Sequence, residues 1–180
     1  MKRYNLALLP LTIGPQALQL ATPFSKLNDG YLLGRGSQPH VTVCQFYAEE
    51  GQLAEIWKKA SRVFGEKRLH LEFNETTSLL LQERLWVQLI PEPNERLQQL
   101  HNQVAKMVEA PLGLVFEAYS PHMTLANIRK DQHEAAKVEL TALELSLSDD
   151  FILALGSCDE EGQFTAVLYG LNMSHADQGE

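Results

Sequence analysis

Apolar and polar positions follow two different periodicities along the chain. Alternating or continuously apolar runs predict strands at 3–9, 39–47, 67–73, 78–82, 85–90, 119–128, 144–148, 150–158 and 163–171. Apolar residues spaced three and four apart predict helices from Gly14 to about Asn28, over 53–64, after Pro93 and over 130–142. Turn residues predict breaks at Asn74–Thr76 and Glu83–Arg84 and a hairpin at Asp159–Gly162. The mixture, with no Ser/Gly-rich linker, predicts a single α+β domain over 1–180 whose polar end, 173–180, is frayed.

Composition and charge narrow the classes of function. The 180 residues are 44% hydrophobic and 21% charged, which is typical of a globular protein. A formal charge of −8 argues against a protein that coats long nucleic acid, although a small phosphorylated substrate remains compatible with it. No apolar run reaches the ~18–20 residues of a membrane helix, and the first residues lack a signal-cleavage pattern. We therefore expect a cytoplasmic protein without membrane association, and a monomer. Cys44 and Cys158 are expected to be small buried hydrophobic residues.

A short internal repeat is the most informative feature of the sequence. Residues 38–46 read QPHVTVCQF and residues 120–128 read SPHMTLANI, so the segments 39–43 and 121–125 share Pro-His-x-Thr followed by an apolar residue. With 8 Pro and 6 His in 180 residues, two copies are not expected by chance. In a strand, His and Thr at i and i+2 point to the same face, which in the first copy would also include Cys44. If the two strands face each other, two histidines and two threonines meet in one cleft.

Two histidines and two threonines are suited to phosphoester cleavage. The histidine pKa lies near 6.5, so one imidazole can take a proton from the attacking group while the other protonates the departing oxygen. Threonine hydroxyls can donate to the phosphate oxygens. Neither role requires a metal, and the sequence has no HExxH or His-x-His pattern that would favour a metal site.

PHVTV and PHMTL, about eighty residues apart, resemble the paired His-x-Thr-x motifs of the 2H phosphoesterase superfamily, and most of all its bacterial 2'-5' RNA ligase-like (LigT-like) branch. The resemblance implies an α+β fold of two pseudo-symmetric lobes of antiparallel sheet, with helices outside and a central groove. It also implies catalytic His40 and His122, phosphate-binding Thr42 and Thr124, and no cofactor. Many members of that branch have an arginine three residues after the second threonine. Asn127 occupies that position here, and Arg129 would share its strand face if the strand continued.

The leading hypothesis is a metal-independent phosphodiesterase that hydrolyses the 2',3'-cyclic phosphate of a nucleotide or RNA end, with His122 as base and His40 as acid. The alternatives are a 2'-5' RNA ligase or 2'-5' oligonucleotide phosphodiesterase, a non-catalytic nucleotide- or RNA-end-binding module, and a coincidental repeat. Arg35 is a further candidate for substrate contact. Four aromatic residues are candidates for stacking on a base: Tyr31, Trp86, Tyr119 and Tyr169. The other histidines are left out of the site: His70, His101, His133 and His175.

Overall fold

The computed structural model describes residues 1–65, 68–81, 83–108 and 119–170, and within them the chain forms eight strands and four α-helices. The strands are β1 (Lys2–Pro10), β2 (Asn28–Leu32), β3 (Val41–Ala48), β4 (Leu69–Leu81), β5 (Arg84–Glu92), β6 (Met123–Ile128), β7 (Leu147–Cys158) and β8 (Phe164–Gly170). The helices are α1 (Gly14–Ala21), α2 (Leu53–Phe64), α3 (Asn94–Ala105) and α4 (His133–Ala142). No helix among these residues is long and apolar enough to cross a membrane.

The strands form one antiparallel sheet in the order β2-β6-β5-β4-β7-β1-β3, with β8 paired to β7. Its centre is the short pairing of Leu69–Phe73 in β4 with Leu147–Phe151 in β7. Three strands follow one another outward on each side of this centre: β4, β5 and β6 in one lobe, and β7, β1 and β3 in the other. The two strands that carry the repeat, β3 and β6, therefore occupy equivalent places in two pseudo-symmetric lobes. This confirms the expected α+β class.

The helices cover the outside of the sheet and complete the core. α3 packs on β3 and α2 packs on β7, whereas α1 packs on β6. The largest fully buried side chains of this core include five phenylalanines from three strands, a helix and a 3-10 turn: Phe24, Phe46, Phe64, Phe73 and Phe151. Burying aromatic and aliphatic side chains between sheet and helices provides most of the favourable free energy of such a fold. The outer layer leaves the opposite face of the curved sheet available for a groove.

Several predicted boundaries differ from the structure. β4 runs through Asn74–Thr76 without a turn, because an irregularity in register between Phe73 and Glu75 absorbs the polar segment. β7 likewise joins the predicted strands at 144–148 and 150–158 from Leu147 onward. The Asn28-Asp29-Gly30 sequence, interpreted as a helix stop, opens β2, and the helix before it ends at Ala21 in a 3-10 turn. The predicted tail at 173–180 lies outside the described residues.

Candidate active site

The strands that carry the repeat face each other across a cavity of about 200 Å³. Cα atoms of β3 and β6 come within 8 Å of each other, although β3 ends the strand order and β6 lies near its other end. The sheet therefore curls around the cavity. The cavity is lined by all four side chains that the repeat singles out: His40, Thr42, His122 and Thr124.

Both copies of the repeat contain a β-bulge at the same position. In β3 the register shifts between Thr42 and Cys44 against β1, which leaves Val43 as the extra residue. In β6 it shifts between Thr124 and Ala126 against β5, which leaves Leu125 as the extra residue. A bulge interrupts the alternation of side chains, so the residues that follow it change face.

The prediction that Cys44 shares a face with His40 and Thr42 is therefore wrong. Cys44 is 3% exposed and belongs to the core, and it is Gln45 that lines the cavity with Thr42. In the second copy, Asn127 holds the position equivalent to Gln45. Its Oδ1 accepts the backbone N–H groups of Tyr31 (2.8 Å) and Asp29 (3.3 Å), so it supports β2 rather than the cavity.

The bulge carbonyls are satisfied differently in the two lobes. Leu125 O accepts the backbone N–H of Leu33 at 2.8 Å. Val43 O accepts Nδ1–H of His101 at 2.7 Å, and the neighbouring Thr42 O accepts the hydroxyl of Tyr119 at 2.5 Å. The rings of His101 and Tyr119 stack with centroids 4.0 Å apart. His101, which the sequence analysis leaves aside, therefore supports the first copy of the repeat from behind.

Both site histidines are oriented by the same backbone contact. His40 Nδ1 lies 2.7 Å from Gln38 O, and His122 Nδ1 lies 2.8 Å from Ser120 O. A carbonyl oxygen can only accept, so each Nδ1 carries the hydrogen and each Nε2 is left as the basic atom. Each imidazole can therefore take or give a proton through Nε2.

Burial lowers the pKa of both imidazoles. Desolvation is the main cause that lowers the pKa of His40 to about 4; the bond to Gln38 O opposes this shift, and the charge of protonated His122 adds to it. Desolvation also lowers the pKa of His122, against the bond to Ser120 O. Because both pKa values lie below 6.5, the neutral form of each imidazole is favoured at pH 7.

The two threonines and one arginine give the cavity its donors. Asn5, which is fully buried, donates its amide N–H to Thr42 Oγ1 at 3.0 Å, so the hydroxyl hydrogen of Thr42 is free to point at a ligand. Arg3 lines the cavity between these threonines and the β7–β8 turn. Its guanidinium donates to Glu160 O at 2.5 Å and to Asp159 O at 3.3 Å, and it also contacts Gln45 Oε1.

Arg3 is the one arginine or lysine among the described residues that line the cavity, and these partners leave its charge uncompensated. Glu161, the acidic residue of the lining, is bound by Arg84 at 3.1 Å. No sequence pattern points to Arg3, because it lies far from the repeat along the chain. Arg129 lies beyond the end of β6, is exposed, and pairs with Asp131 at 3.7 Å; neither it nor Arg35 lines the cavity.

The four aromatic candidates divide evenly. Tyr31 and Trp86 line the cavity with ring centroids 5.9 Å apart. Tyr119 supports β3, as described above, and Tyr169 stacks on Trp57 at 6.1 Å. Within the described part of the chain, no three His, Cys, Asp or Glu side chains are grouped to hold a metal ion.

A curved antiparallel sheet that brings two His-x-Thr strands to one cavity is the arrangement of the 2H phosphoesterases. The chain belongs to the 2'-5' RNA ligase superfamily, whose family model matches residues 16–150. No curated protein sequence matches the chain.

Solved structures share the fold at low sequence identity. Escherichia coli LigT complexed with 3'-AMP aligns with a TM-score of 0.59 and 18% identity, over 95% of this chain and 98% of that one. E. coli LigT complexed with phosphate gives 0.55 and 15%, over 94% and 97%. Kluyveromyces marxianus Usb1 with uridine monophosphate gives 0.54 and 13%, over 94% and 97%. At these identities the likeness shows the fold alone.

Proposed function

We propose that the protein is a phosphodiesterase that hydrolyses the 2',3'-cyclic phosphate of a nucleotide or an RNA end. The observation that carries the proposal is that two imidazoles with free Nε2 atoms, two threonine hydroxyls and one arginine line the same cavity. Membership of a superfamily of phosphoesterases and ligases supports it, as do the nucleotide complexes of LigT and Usb1.

In the proposed reaction His122 removes a proton from water, and the oxygen attacks phosphorus. His40 then protonates the departing ribose oxygen, so that the ring opens to a nucleoside monophosphate. Thr42 and Thr124 donate to the non-bridging oxygens, where negative charge builds up in the transition state. The anionic substrate favours the protonated form of the acid and so opposes the effect of burial on its pKa. In the reverse direction the two histidines exchange roles.

The test is hydrolysis of each of the four nucleoside 2',3'-cyclic phosphates by the purified protein, with product analysis. His40→Ala and His122→Ala should each lose about 10²–10⁴ in rate. His70→Ala is the matched control, because His70 is exposed and bound to Asp150 away from the cavity. Activity should survive EDTA, since neither proton transfer nor the hydroxyl contacts use a metal. Rates within twofold of wild type in either cavity variant would refute the mechanism.

A second candidate is the cleavage or formation of 2'-5' RNA linkages, which the name of the matching family favours. The same two histidines would serve this reaction, because joining is the reverse of cleavage and the two proton transfers then run in the opposite direction. Incubating the protein with 2'-5' and 3'-5' linked oligonucleotides, and with RNA halves that end in a cyclic phosphate, separates the candidates. If nucleotides bind but none of these substrates reacts, the protein is a binding module.

A further inference from the structure

The last strand of the sheet breaks the symmetry of the two lobes beside the first histidine. β8 pairs with β7 in the lobe that contains β3, and the described residues include no strand at the corresponding place on β4. Its first residue, Phe164, is fully buried, and the centroid of its ring lies 5.5 Å from that of the His40 imidazole, at an interplanar angle of 39°. Within the described part of the chain, His122 has no aromatic ring packed against it.

Phe164 also holds the segment before His40 through its backbone. Phe164 O accepts the backbone N–H of Gln38 at 3.1 Å, and Gln38 O in turn accepts Nδ1–H of His40 at 2.7 Å. One residue therefore contacts the imidazole directly and also fixes the carbonyl that orients it.

A glycine makes room for this ring. Gly156 lies in β7 beside β8, and a Cβ there would lie 2.2 Å from Ala166 O and 2.4 Å from Cζ of Phe164, far inside the normal contact distance. Glycine weakens a strand unless close approach of another group requires it, as the ring and backbone of β8 do here. The ring packs with Ala7 and Ala154 in a small core of its own, apart from the main core.

This contact contributes to the burial of His40. His40 is 6% exposed, whereas His122 is only partly buried. An apolar ring against an imidazole replaces water and disfavours the charged form, and burial is the main cause that lowers the pKa of His40 to about 4. β8 itself contains no charged residue. The other titratable or charged groups that line the cavity are His122, whose charge adds to this shift, Arg3, Tyr31 and Glu161.

We propose that Phe164 is a positioning residue for His40, which holds the imidazole with its ring and the orienting carbonyl with its backbone. The inference rests on the proposed function for the reaction that His40 serves. Because only the first copy of the repeat has this support, the two histidines are not equivalent. His40 is fixed in apolar surroundings and aimed at one atom of the ligand, as suits the group that protonates a departing oxygen. His122 is more open to solvent, as suits the group that activates water.

Histidine NMR tests the contact without any substrate. Titration of the wild type should give a pKa of about 4 for His40, whose signals are assigned by their loss in His40→Asn. In Phe164→Leu the ring-proton signals of His40 should shift, and its pKa should rise by about one unit or more towards 6.5, while that of His122 changes far less. Phe73→Leu is the matched control, because Phe73 is equally buried but packs on Phe151 in the main core.

Kinetics separate positioning from a general loss of stability. Phe164→Leu should lower kcat for the cyclic phosphate about 10-fold or more, because the imidazole is no longer held in place. It should leave KM within about threefold, since the threonines that bind the phosphate are unchanged. Phe73→Leu should leave both constants unchanged. If Phe164→Leu does not fold, Phe164→Met, whose flexible side chain fills irregular spaces, should show the same changes at smaller size.

The outcomes distinguish this inference from the proposed function. If the His40 signals and pKa respond to Phe164→Leu but the wild type hydrolyses no cyclic phosphate, the positioning of His40 stands and the proposed reaction fails. If the wild type is active and Phe164→Leu keeps either the wild-type kcat or the wild-type pKa of His40, the reaction stands and the inference is overturned. Equal changes of the His40 pKa in Phe164→Leu and Phe73→Leu would also overturn it.

Discussion

Acidification should destabilise the folded protein through His40. In the unfolded chain this imidazole titrates near pH 6.5, whereas burial lowers its pKa to about 4 in the folded protein. Between these two values the unfolded state binds the proton and the folded state does not. The free energy of unfolding therefore decreases as the pH falls from 6.5 to 4, with a slope of up to about 1.4 kcal/mol per pH unit. Below pH 4 both states are protonated and the effect levels off.

The magnitude follows from the two pKa values. A difference of about 2.5 pH units corresponds to about 3 kcal/mol lost between pH 7 and pH 4. This is a large part of the 5–15 kcal/mol that is typical of a domain. His40 is 6% exposed, so solvent screens the effect little.

Urea denaturation at pH 4, 5, 6 and 7 measures this effect when wild type is compared with His40→Asn. The asparagine amide keeps a donor for Gln38 O but cannot titrate. The wild type should lose about 3 kcal/mol more than the variant over this range. His70→Asn, at an exposed position, should follow the wild type. Parallel pH curves for wild type and His40→Asn would show that burial does not hold this imidazole neutral.

The same structure leads to further predictions. Tyr119→Phe removes the hydroxyl that donates to Thr42 O, so it should lower the free energy of unfolding by about 1 kcal/mol and lower kcat for cyclic phosphates. Tyr47→Phe, at an exposed position, is the control and should change neither quantity. An unaltered kcat and unfolding midpoint in Tyr119→Phe would contradict the role assigned to Tyr119. Gly162→Ala should destabilise the protein by about 1 kcal/mol, because φ at this position is +81°. It should also weaken phosphate binding measured by calorimetry, because the added Cβ would lie 3.4 Å from Arg3 Nη2. Gly51→Ala, where a Cβ meets nothing within 4 Å, is the control. The profile of kcat/KM against pH should be bell-shaped with its maximum on the acid side of 6.5, since burial lowers the pKa of both His40 and His122; a maximum above pH 7.5 would show that the acid and base are other groups.

The part of the site that the sequence could predict is the part determined by local geometry. The His-x-Thr spacing places His40 with Thr42, and His122 with Thr124, because side chains alternate in a strand. The repeat also implies that the two pairs belong together, which the shared cavity now shows. The fold class follows in the same way from periodicity and from the resemblance.

The remaining features depend on contacts between distant parts of the chain. The bulge at Val43 moves Cys44 into the core, and it is visible only in the register of β3 against β1. β2 forms from a turn-like sequence because β6 offers it hydrogen-bond partners. Arg3 enters the cavity because β1 lies beside β3 and the β7–β8 turn supplies carbonyl acceptors. No local pattern encodes such pairings.

The two lobes have two features of the repeat in common. The imidazole contact with the carbonyl two residues earlier and the bulge after the threonine occur in both copies, although their surroundings differ. β2 lies next to β6 on its outer side, and Leu33, the residue that follows β2, donates its backbone N–H to the bulge carbonyl of Leu125. On the outer side of β3 the described residues include no further strand. There the carbonyls of the first copy are bound instead by the side chains of His101 in α3 and of Tyr119 in the segment before β6. One of them, Tyr119, lies three residues before His122 and binds Thr42 O, so the support for the first copy also sets the position of the second. The geometry common to both copies is thus maintained by unlike means, which is the arrangement expected if the orientation of the two Nε2 atoms is what the protein must preserve.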